Sequence, residues 1–130
     1  MKKMMAILLM LFTITAVSAQ DPVIGKYKKA LIIGAHPDDP ESMCGGTMLL
    51  LKQQGCEVVC VYMTRGEGGI TGKSAEETAA IRTQEALNSC EVMGIRPVFL
   101  TQIDGNSEIN KARYDEMRKL IADEKPDVVI

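Results

Sequence analysis

The sequence predicts an α/β fold with a doubly wound, mainly parallel sheet. Four short apolar runs, rich in valine and isoleucine, alternate with three longer segments in which apolar residues recur at helical spacing. This alternation is typical of parallel sheets with helices on both faces. The fourth apolar run reaches the last residue, Ile130, so the predicted sheet is truncated at its fourth strand.

The first 19 residues are predicted to be a secretory signal peptide and not part of the fold. Lys2 and Lys3 precede an apolar core at residues 6–12, and Val17-Ser18-Ala19 has the small residues of a cleavage site. We expect cleavage near Ala19, export to the periplasm or the cell exterior, and a domain at residues 20–130. An uncleaved anchor is the alternative, and no later stretch is long and apolar enough to span a bilayer.

Composition restricts the classes of function. Removing 19 of 130 residues, including two lysines and no acidic residue, leaves 111 residues and changes the net charge from −2 to −4. The acidic balance argues against a nucleic-acid partner, and the length fits one domain. All four cysteines follow the signal peptide. Each lies in or beside an apolar pattern, so we expect free cysteines that pack as small apolar residues, with disulfides as the alternative. No Cys-x-x-Cys pair occurs, which argues against a thiolate zinc site. The oligomeric state stays open.

The first predicted strand covers residues 29–34 and is followed by a loop at 35–41. Pro37 disfavours a helical conformation at His36. Asp39-Pro40 then predicts a helix start, with aspartate as N-cap and proline at the first helical position.

The first helix is predicted to reach about Gln54 and to be mostly buried, because apolar side chains cover much of its circumference. Gly45-Gly46 inside it costs about 1 kcal/mol per glycine relative to alanine. Tight packing on the sheet or on a ligand would explain that cost.

The second strand is predicted at residues 56–64, with a glycine-rich loop at 65–69. Ser74-Ala75-Glu76-Glu77 has the pattern of a capping box and opens a helix that reaches about Met93. Arg82 lies at the edge of the apolar stripe of this helix.

The remaining elements repeat the alternation. A third strand is predicted at residues 97–100, a loop at 103–106, a third helix from Lys111 to about Asp123, and a fourth strand from Asp127. Because ligands bind at the carboxyl ends of parallel strands, the three loops that leave those ends are expected to meet at one rim. The ionisable residues of these loops are His36, Asp38, Asp39, Glu41, Arg65, Glu67 and Asp104.

The loop at 35–41 contains the only histidine of the sequence and is typical of a metal site. His36 and Asp39 are three residues apart, and imidazole with carboxylate is a usual partial shell for zinc in hydrolases. Asp38 lies between them and could act as general base. Alternatively, Asp39 is only an N-cap and His36 only a hydrogen-bonded loop histidine.

A second motif resembles a phosphate-binding loop. Residues 68–74 end in Gly72-Lys73-Ser74 between a strand and a helix, but the full pattern needs glycine at position 67. Glu67 stands there, and its carboxylate would repel a phosphate. A nucleotide-phosphate binder is therefore a weak alternative.

The sequence Ala-His-Pro-Asp-Asp-x-Glu at 35–41 resembles the signature of the PIG-L/LmbE-like zinc de-N-acetylases. The resemblance continues through Gly45-Gly46-Thr47, Thr64-Arg65-Gly66-Glu67, Arg82 with Glu85, and Asp104-Gly105. It implies a Rossmann-like fold and zinc-dependent removal of an N-acetyl group from an N-acetylglucosamine-type sugar or glycoconjugate.

The resemblance also implies residue roles. His36 and Asp39 match zinc ligands, and Asp38 matches the general base. Three further residues match positions that line the sugar pocket: Glu67, Arg82 and Asp104. For these, the alternatives are a solvated loop carboxylate at Glu67, a surface ion pair of Arg82 with Glu85, and a turn aspartate at Asp104.

The family takes a third zinc ligand from a second histidine motif after the fourth strand, and this sequence has no second histidine. A catalytic zinc normally has three protein ligands. We therefore expect a truncated sequence that is inactive by itself. A catalytically inactive, sugar-binding relative of the family is the alternative function.

Overall fold

The computed structural model describes residues 26–130, so the predicted signal peptide at residues 1–19 lies outside the described part. Four parallel strands form one sheet in the order β3-β2-β1-β4. The elements are β1 (Lys29–Gly34), α1 (Asp39–Gln53), β2 (Glu57–Tyr62), α2 (Ala75–Met93), β3 (Arg96–Phe99), α3 (Lys111–Glu124) and β4 (Val128–Val129). The predicted α/β fold with a parallel sheet is confirmed.

Helices cover both faces of the sheet, because alternate residues of a strand point to opposite faces. On one face, Ile32 and Cys60 pack with residues of α1 and α2, including Met48 and Cys90. On the other face, a smaller core forms around Leu31, Val59, Val61 and Leu100, with Met117 and Leu120 of α3 against it. The sheet is therefore doubly wound.

The direction of the chain across the sheet reverses next to β1. The chain runs from β1 to β2 to β3, then returns to place β4 on the other side of β1. Ligands bind at such a switch point in open α/β sheets. The loop after β1 therefore starts at the position where a site is expected.

The start of α1 differs from its prediction. The helix begins at Asp39, the N-cap position is Asp38, and no side chain caps the helix there. The prediction of Asp39 as N-cap is wrong because its carboxylate turns back to accept a hydrogen bond from the backbone N–H of His36, at 2.9 Å.

The prediction that α1 is mostly buried is also wrong. Only Pro40, Met48 and Leu51 are buried, whereas Met43 is 83% exposed. The helix packs on the sheet with one side, and Leu49 and Leu50 are exposed like Met43. A Cβ atom added at Gly45 or Gly46 would meet nothing within 4 Å, so tight packing within residues 26–130 does not explain this glycine pair.

The other helix signals agree better with the structure. Ser74 and Glu77 form the predicted capping box, and Gly94 ends α2 in the left-handed conformation. In α3, no residue is fully buried, and Tyr114 is 66% exposed. The predicted apolar side of α3 is therefore covered only in part. Within residues 26–130, no helix has the length and apolar character that crossing a membrane requires.

Close packing between the end of β1 and the start of α1 determines the path of the chain between these two elements. A Cβ atom at Gly34 would lie 2.5 Å from Cδ of Pro40 and 2.8 Å from Cβ of Asp39. Both neighbours are held by the first turn of the helix and cannot move away without shifting it. Glycine is therefore required at position 34.

We expect Gly34→Ala to lower the free energy of unfolding by about 1–3 kcal/mol, because the added methyl group overpacks the turn. Gly45→Ala is the matched control: its methyl group meets no neighbour, and alanine in a helix should add about 1 kcal/mol. Urea unfolding followed by circular dichroism measures both changes. A stability loss at position 45 equal to that at position 34 would contradict the interpretation.

Candidate active site

The loop after β1 is held against the end of β2 by hydrogen bonds to one carbonyl. The backbone N–H of Thr64 and its hydroxyl both donate to the carbonyl oxygen of Ala35, at 2.9 and 2.8 Å. Pro37 is buried, and Asp38 has a φ of 104°, in the left-handed region. Positive φ is rare for a residue other than glycine. The turn therefore imposes an unfavourable backbone conformation on the predicted general base.

His36 lies between two carboxylates. Its Nδ1 is 3.2 Å from Oδ2 of Asp39, and its Nε2 is 3.0 Å from Oδ1 of Asp104. Burial lowers the pKa of His36, but hydrogen bonding and the negative charges of Asp104 and Asp39 outweigh it, so the pKa lies above the ordinary 6.5. These contacts join the loop after β1 to the loop after β3.

Asp38 and Arg82 form an ion pair at the same rim. Nη2 of Arg82 is 2.6 Å from Oδ2 of Asp38 and also donates to the carbonyl oxygen of Pro37. Nη1 of the same guanidinium contacts Glu85 at 2.6 Å. The ion pair with Glu85, which was the alternative for Arg82, is therefore present, but the same side chain also reaches Asp38.

Glu67 and Asp104 join the loops after β2 and β3, because each carboxylate accepts a hydrogen bond from the backbone of the other loop. Oε2 of Glu67 accepts hydrogen bonds from the backbone N–H groups of Arg65 and Asp104, at 3.3 and 3.0 Å. In return, Oδ2 of Asp104 accepts from the backbone N–H of Gly68 at 3.1 Å. Burial raises the pKa of Asp104, but the hydrogen bonds from Gly68 and His36 outweigh it, and the pKa is lowered.

An open cavity of about 390 Å³ lies at this rim. Four of the predicted site residues line it, together with three glycines: His36, Asp38, Arg82, Asp104, Gly66, Gly68 and Gly69. Asp39 and Glu67 do not line it, but Asp39 contacts the ring of His36 and Glu67 accepts a hydrogen bond from the backbone of Asp104. The backbone of the glycine-rich loop is a wall that the prediction did not include, although its three glycines were visible in the sequence.

Two predictions for the rim are wrong. Glu41 does not reach it: position 41 is in the first turn of α1, and its Oε1 accepts a hydrogen bond from the Tyr62 hydroxyl at 2.5 Å. Arg65 turns away from the rim: its guanidinium lies 4.8 Å from the ring centroid of Phe99 on β3, and its Nη1 donates to Thr83 on α2. A loop residue is placed by its neighbours in three dimensions, which the spacing in the sequence does not indicate.

In the segment that resembles a phosphate-binding loop, four backbone N–H groups already have acceptors within the protein. The N–H groups of Gly68, Gly69, Lys73 and Ser74 donate to Asp104, to two loop carbonyls and to Glu77. A phosphate cradle requires such N–H groups to converge on the ligand. The local geometry therefore disfavours the nucleotide alternative.

The pair His36–Asp39 fits two ligands of one zinc ion. Two ligands about 2.1 Å from a tetrahedral zinc lie about 3.4 Å apart, and here Nδ1 and Oδ2 are 3.2 Å apart. A metal-bound histidine usually donates its other N–H to a carboxylate, and Asp104 stands at Nε2. The donor chemistry therefore suits zinc, with two metal donors at the rim within residues 26–130.

Comparison with known proteins agrees with this site. A family profile described as "PIG-L: GlcNAc-PI de-N-acetylase" matches residues 31–130. The chain belongs to this family. The matched region includes every rim residue described above and all four strands except the first two residues of β1.

Individual relatives are deacetylases of acetamido sugars. Diacetylchitobiose deacetylase of Thermococcus kodakarensis is 34% identical over 109 residues, which cover 79% of this chain and 40% of that protein. 1D-myo-inositol 2-acetamido-2-deoxy-alpha-D-glucopyranoside deacetylase of Corynebacterium diphtheriae is 33% identical over 81 residues, which cover 55% of this chain and 28% of that protein.

A solved structure shows the same fold. N,N′-diacetylchitobiose deacetylase of Pyrococcus horikoshii superposes with a TM-score of 0.78 and 34% identity, covering 85% of this chain and 42% of that one. The chain therefore spans less than half the length of these relatives.

The pKa of His36 gives a direct test of its environment, because no other histidine contributes to the spectrum. Asp104→Asn removes a charge and should lower the pKa of His36 in metal-free protein, whereas Asp115→Asn on the exposed side of α3 should leave it unchanged. Imidazole NMR signals followed against pH measure this.

The raised pKa also has a consequence for stability. Protonated His36 makes its full contribution to the stability of the fold below pH 6.5, and this contribution is lost as the pH rises through the higher folded-state pKa.

An unchanged pKa of His36 in Asp104→Asn would show that the 3.0 Å contact between Nε2 of His36 and Oδ1 of Asp104 does not form in solution.

The backbone of Asp38 can be tested by two substitutions that both remove its ion pair with Arg82. Asp38→Gly should be more stable than Asp38→Ala by about 1–2 kcal/mol, because only glycine adopts positive φ without cost. Denaturant unfolding of the two variants measures the difference. Equal stabilities would mean that position 38 does not have positive φ in solution.

Proposed function

We propose that residues 26–130 form the N-terminal part of a zinc-dependent hydrolase that removes an N-acetyl group from an N-acetylglucosamine-type sugar or glycoconjugate. Membership of the PIG-L family and the deacetylase relatives support the reaction class. The observation that carries the proposal is the joint placement of His36, Asp38 and Arg82 at one open cavity, with Asp39 in contact with the His36 ring. A base is thereby held next to a candidate metal position.

His36 and Asp39 would hold the zinc ion through Nδ1 and Oδ2. Zinc, when bound, supplies Lewis acidity toward the amide carbonyl and the attacking water. Asp104 orients the imidazole from its other nitrogen, and the backbone N–H of His36 orients Asp39. Both donors are thus fixed by hydrogen bonds before a metal binds, which lowers the cost of assembling the site.

Asp38 would act as the general base. Its carboxylate is 58% exposed, so a water molecule can reach it, while Arg82 holds one of its oxygens. It would take a proton from the water that adds to the acetamide carbon. As the C–N bond breaks, the amine nitrogen needs a proton, and the protonated Asp38 can supply it. The products are acetate and the free amino sugar.

The walls of the cavity indicate how a sugar would bind. Asp104 can accept hydrogen bonds from hydroxyl groups, and Arg82 can donate to them, because both face the cavity. Glu67 was expected to touch the sugar as well. Its carboxylate instead supports the backbone of Asp104, so we propose that Glu67 acts on the substrate through Asp104.

The activity is proposed for the whole protein, since this chain spans 40% of the length of the Thermococcus relative. Export, with cleavage of the signal peptide near Ala19, is likewise a proposal, and it would give the enzyme access to periplasmic or extracellular acetamido sugars. The export proposal does not depend on the geometry at the rim.

Asp38→Asn tests the mechanism in the full-length gene product loaded with zinc. Acetate release from diacetylchitobiose should fall by about 10²–10⁴-fold, because an amide cannot take the proton from water. Asp115→Asn is the control for a charge change on the surface and should retain full turnover. Undiminished turnover in Asp38→Asn would remove Asp38 from the mechanism.

A catalytically inactive, sugar-binding relative is the second candidate. It is favoured by one observation: residues 26–130 offer two zinc donors at the rim, where a catalytic zinc normally has three. Zinc content and sugar binding of the full-length gene product separate the two functions. A protein that binds diacetylchitobiose without zinc and without acetate release would be the inactive relative.

A further inference from the structure

A second group of metal-ligating side chains lies in the core, below the rim. Cys60 on β2 and Cys90 on α2 are both 0% exposed, and Glu41 comes from the first turn of α1. One ligand atom from each of the three lies within 4.8 Å of the others. Elsewhere in residues 26–130, no three histidine, cysteine or acidic side chains come so close. The group joins the strand β2 to the two helices that pack on one face of the sheet, α1 and α2.

The carboxylate of Glu41 is incompletely satisfied in this position. Its Oε1 accepts the hydrogen bond from Tyr62, but its Oε2 is buried and has no hydrogen-bond partner. An unpartnered buried carboxylate oxygen is costly unless a cation or a donor compensates it. Tyr62 cannot do so, because its single hydroxyl hydrogen already serves Glu41 while its oxygen lies 3.4 Å from Sγ of Cys90.

The two sulfurs are suited to a thiophilic cation. Cysteine sulfurs are ligands that zinc and other soft cations prefer, and both sulfurs lie within 4.8 Å of a carboxylate oxygen of Glu41. In a tetrahedral site, sulfurs 2.3 Å from zinc lie about 3.8 Å apart. The ligand atoms, all within 4.8 Å, would therefore need shifts of less than about 1 Å to meet that geometry.

A cavity between α1 and α2 borders the group. Its volume is about 150 Å³, and Glu41, Ala86 and Ser89 line it together with Asp38 and Arg82. Space for a cation to approach Glu41 is therefore present beside the group.

We propose that Cys60, Cys90 and Glu41 form a second, closed metal site for a thiophilic divalent cation such as Zn²⁺, which joins β2, α1 and α2. The site is separate from the His36–Asp39 pair and does not depend on the proposed deacetylase activity. A disulfide between Cys60 and Cys90 would be the other use of two adjacent thiols. The metal is favoured because a disulfide would leave Oε2 of Glu41 without a partner.

Cobalt binding tests the proposal, because thiolate ligands give Co²⁺ a charge-transfer band in the near ultraviolet that histidine and carboxylate ligands do not give. The full chain, reduced and then freed of reductant, should show this band on titration with Co²⁺. The band should persist in His36→Ala, which disables the rim site, and in Cys44→Ser and Cys56→Ser, which serve as matched controls.

The band should be lost in Cys60→Ser and in Cys90→Ser. Glu41→Gln should weaken Co²⁺ binding by about tenfold or more, because it exchanges a charged ligand for a neutral one. Circular dichroism establishes which variants fold. If Cys60→Ser and Cys90→Ser do not fold, the metal site is tested by Glu41→Gln with Cys44→Ser and Cys56→Ser as controls.

Three results would overturn the proposal. The first is the absence of a charge-transfer band in the reduced wild-type chain. The second is a band that survives in folded Cys60→Ser and Cys90→Ser or disappears in Cys56→Ser. The third is a Cys60–Cys90 disulfide, seen as the loss of two hydrogen atoms in the intact mass, in protein that takes up no Co²⁺ after reduction. Because the readout is a thiolate band, these failures are distinct from a failure of acetate release.

Discussion

The contact between the end of β1 and the first turn of α1 is the constraint on which the site depends. Gly34 lies against Asp39 and Pro40 at a distance that leaves no room for a Cβ atom. The five residues from Ala35 to Asp39 must therefore turn sharply, with Pro37 buried and Asp38 at positive φ. This turn presents His36, Asp38 and Asp39 in three different directions from a central strand at the switch point of the sheet.

Carboxylates then assemble the rim around that turn. Asp39 accepts from the backbone of His36, Asp104 reaches its imidazole, and Glu67 supports the backbone of Asp104. The three loops after β1, β2 and β3 are thereby fixed by hydrogen bonds to charged groups, which are stronger than those between neutral groups. Arg82 is the one cation that lines the cavity. Negative charge near His36 favours a bound cation, and Arg82 restricts the freedom of the proposed base.

The core below the rim contains polar side chains, unlike an ordinary apolar interior. Glu41, Tyr62 and two cysteines occupy positions where large apolar side chains would fill the space between sheet and helices. Such a buried polar group is stable only if its members satisfy one another or a ligand. Glu41 shares its helix turn with Asp39 and a cavity with Asp38, so this core group lies next to the residues of the proposed active site.

Sequence by itself determined the local features of this protein. The apolar run at β1, the capping box at Ser74 and the end of α2 at Met93 were predicted at the residues where the structure has them, because short-range sterics and hydrogen bonding specify them. The family motif likewise identified His36, Asp38, Arg82 and Asp104, which the structure brings to one cavity.

Only the tertiary structure decided what depends on distant neighbours. It placed Glu41 in the core, Arg65 against Phe99 and Glu67 against the backbone of Asp104, and it left Met43 of α1 exposed. The physical reason is that periodicity shows which side chains share a face, but not which faces another element covers. A carboxylate in a loop can equally meet solvent, a backbone N–H group or a metal, and that choice is made by the residues that packing brings next to it.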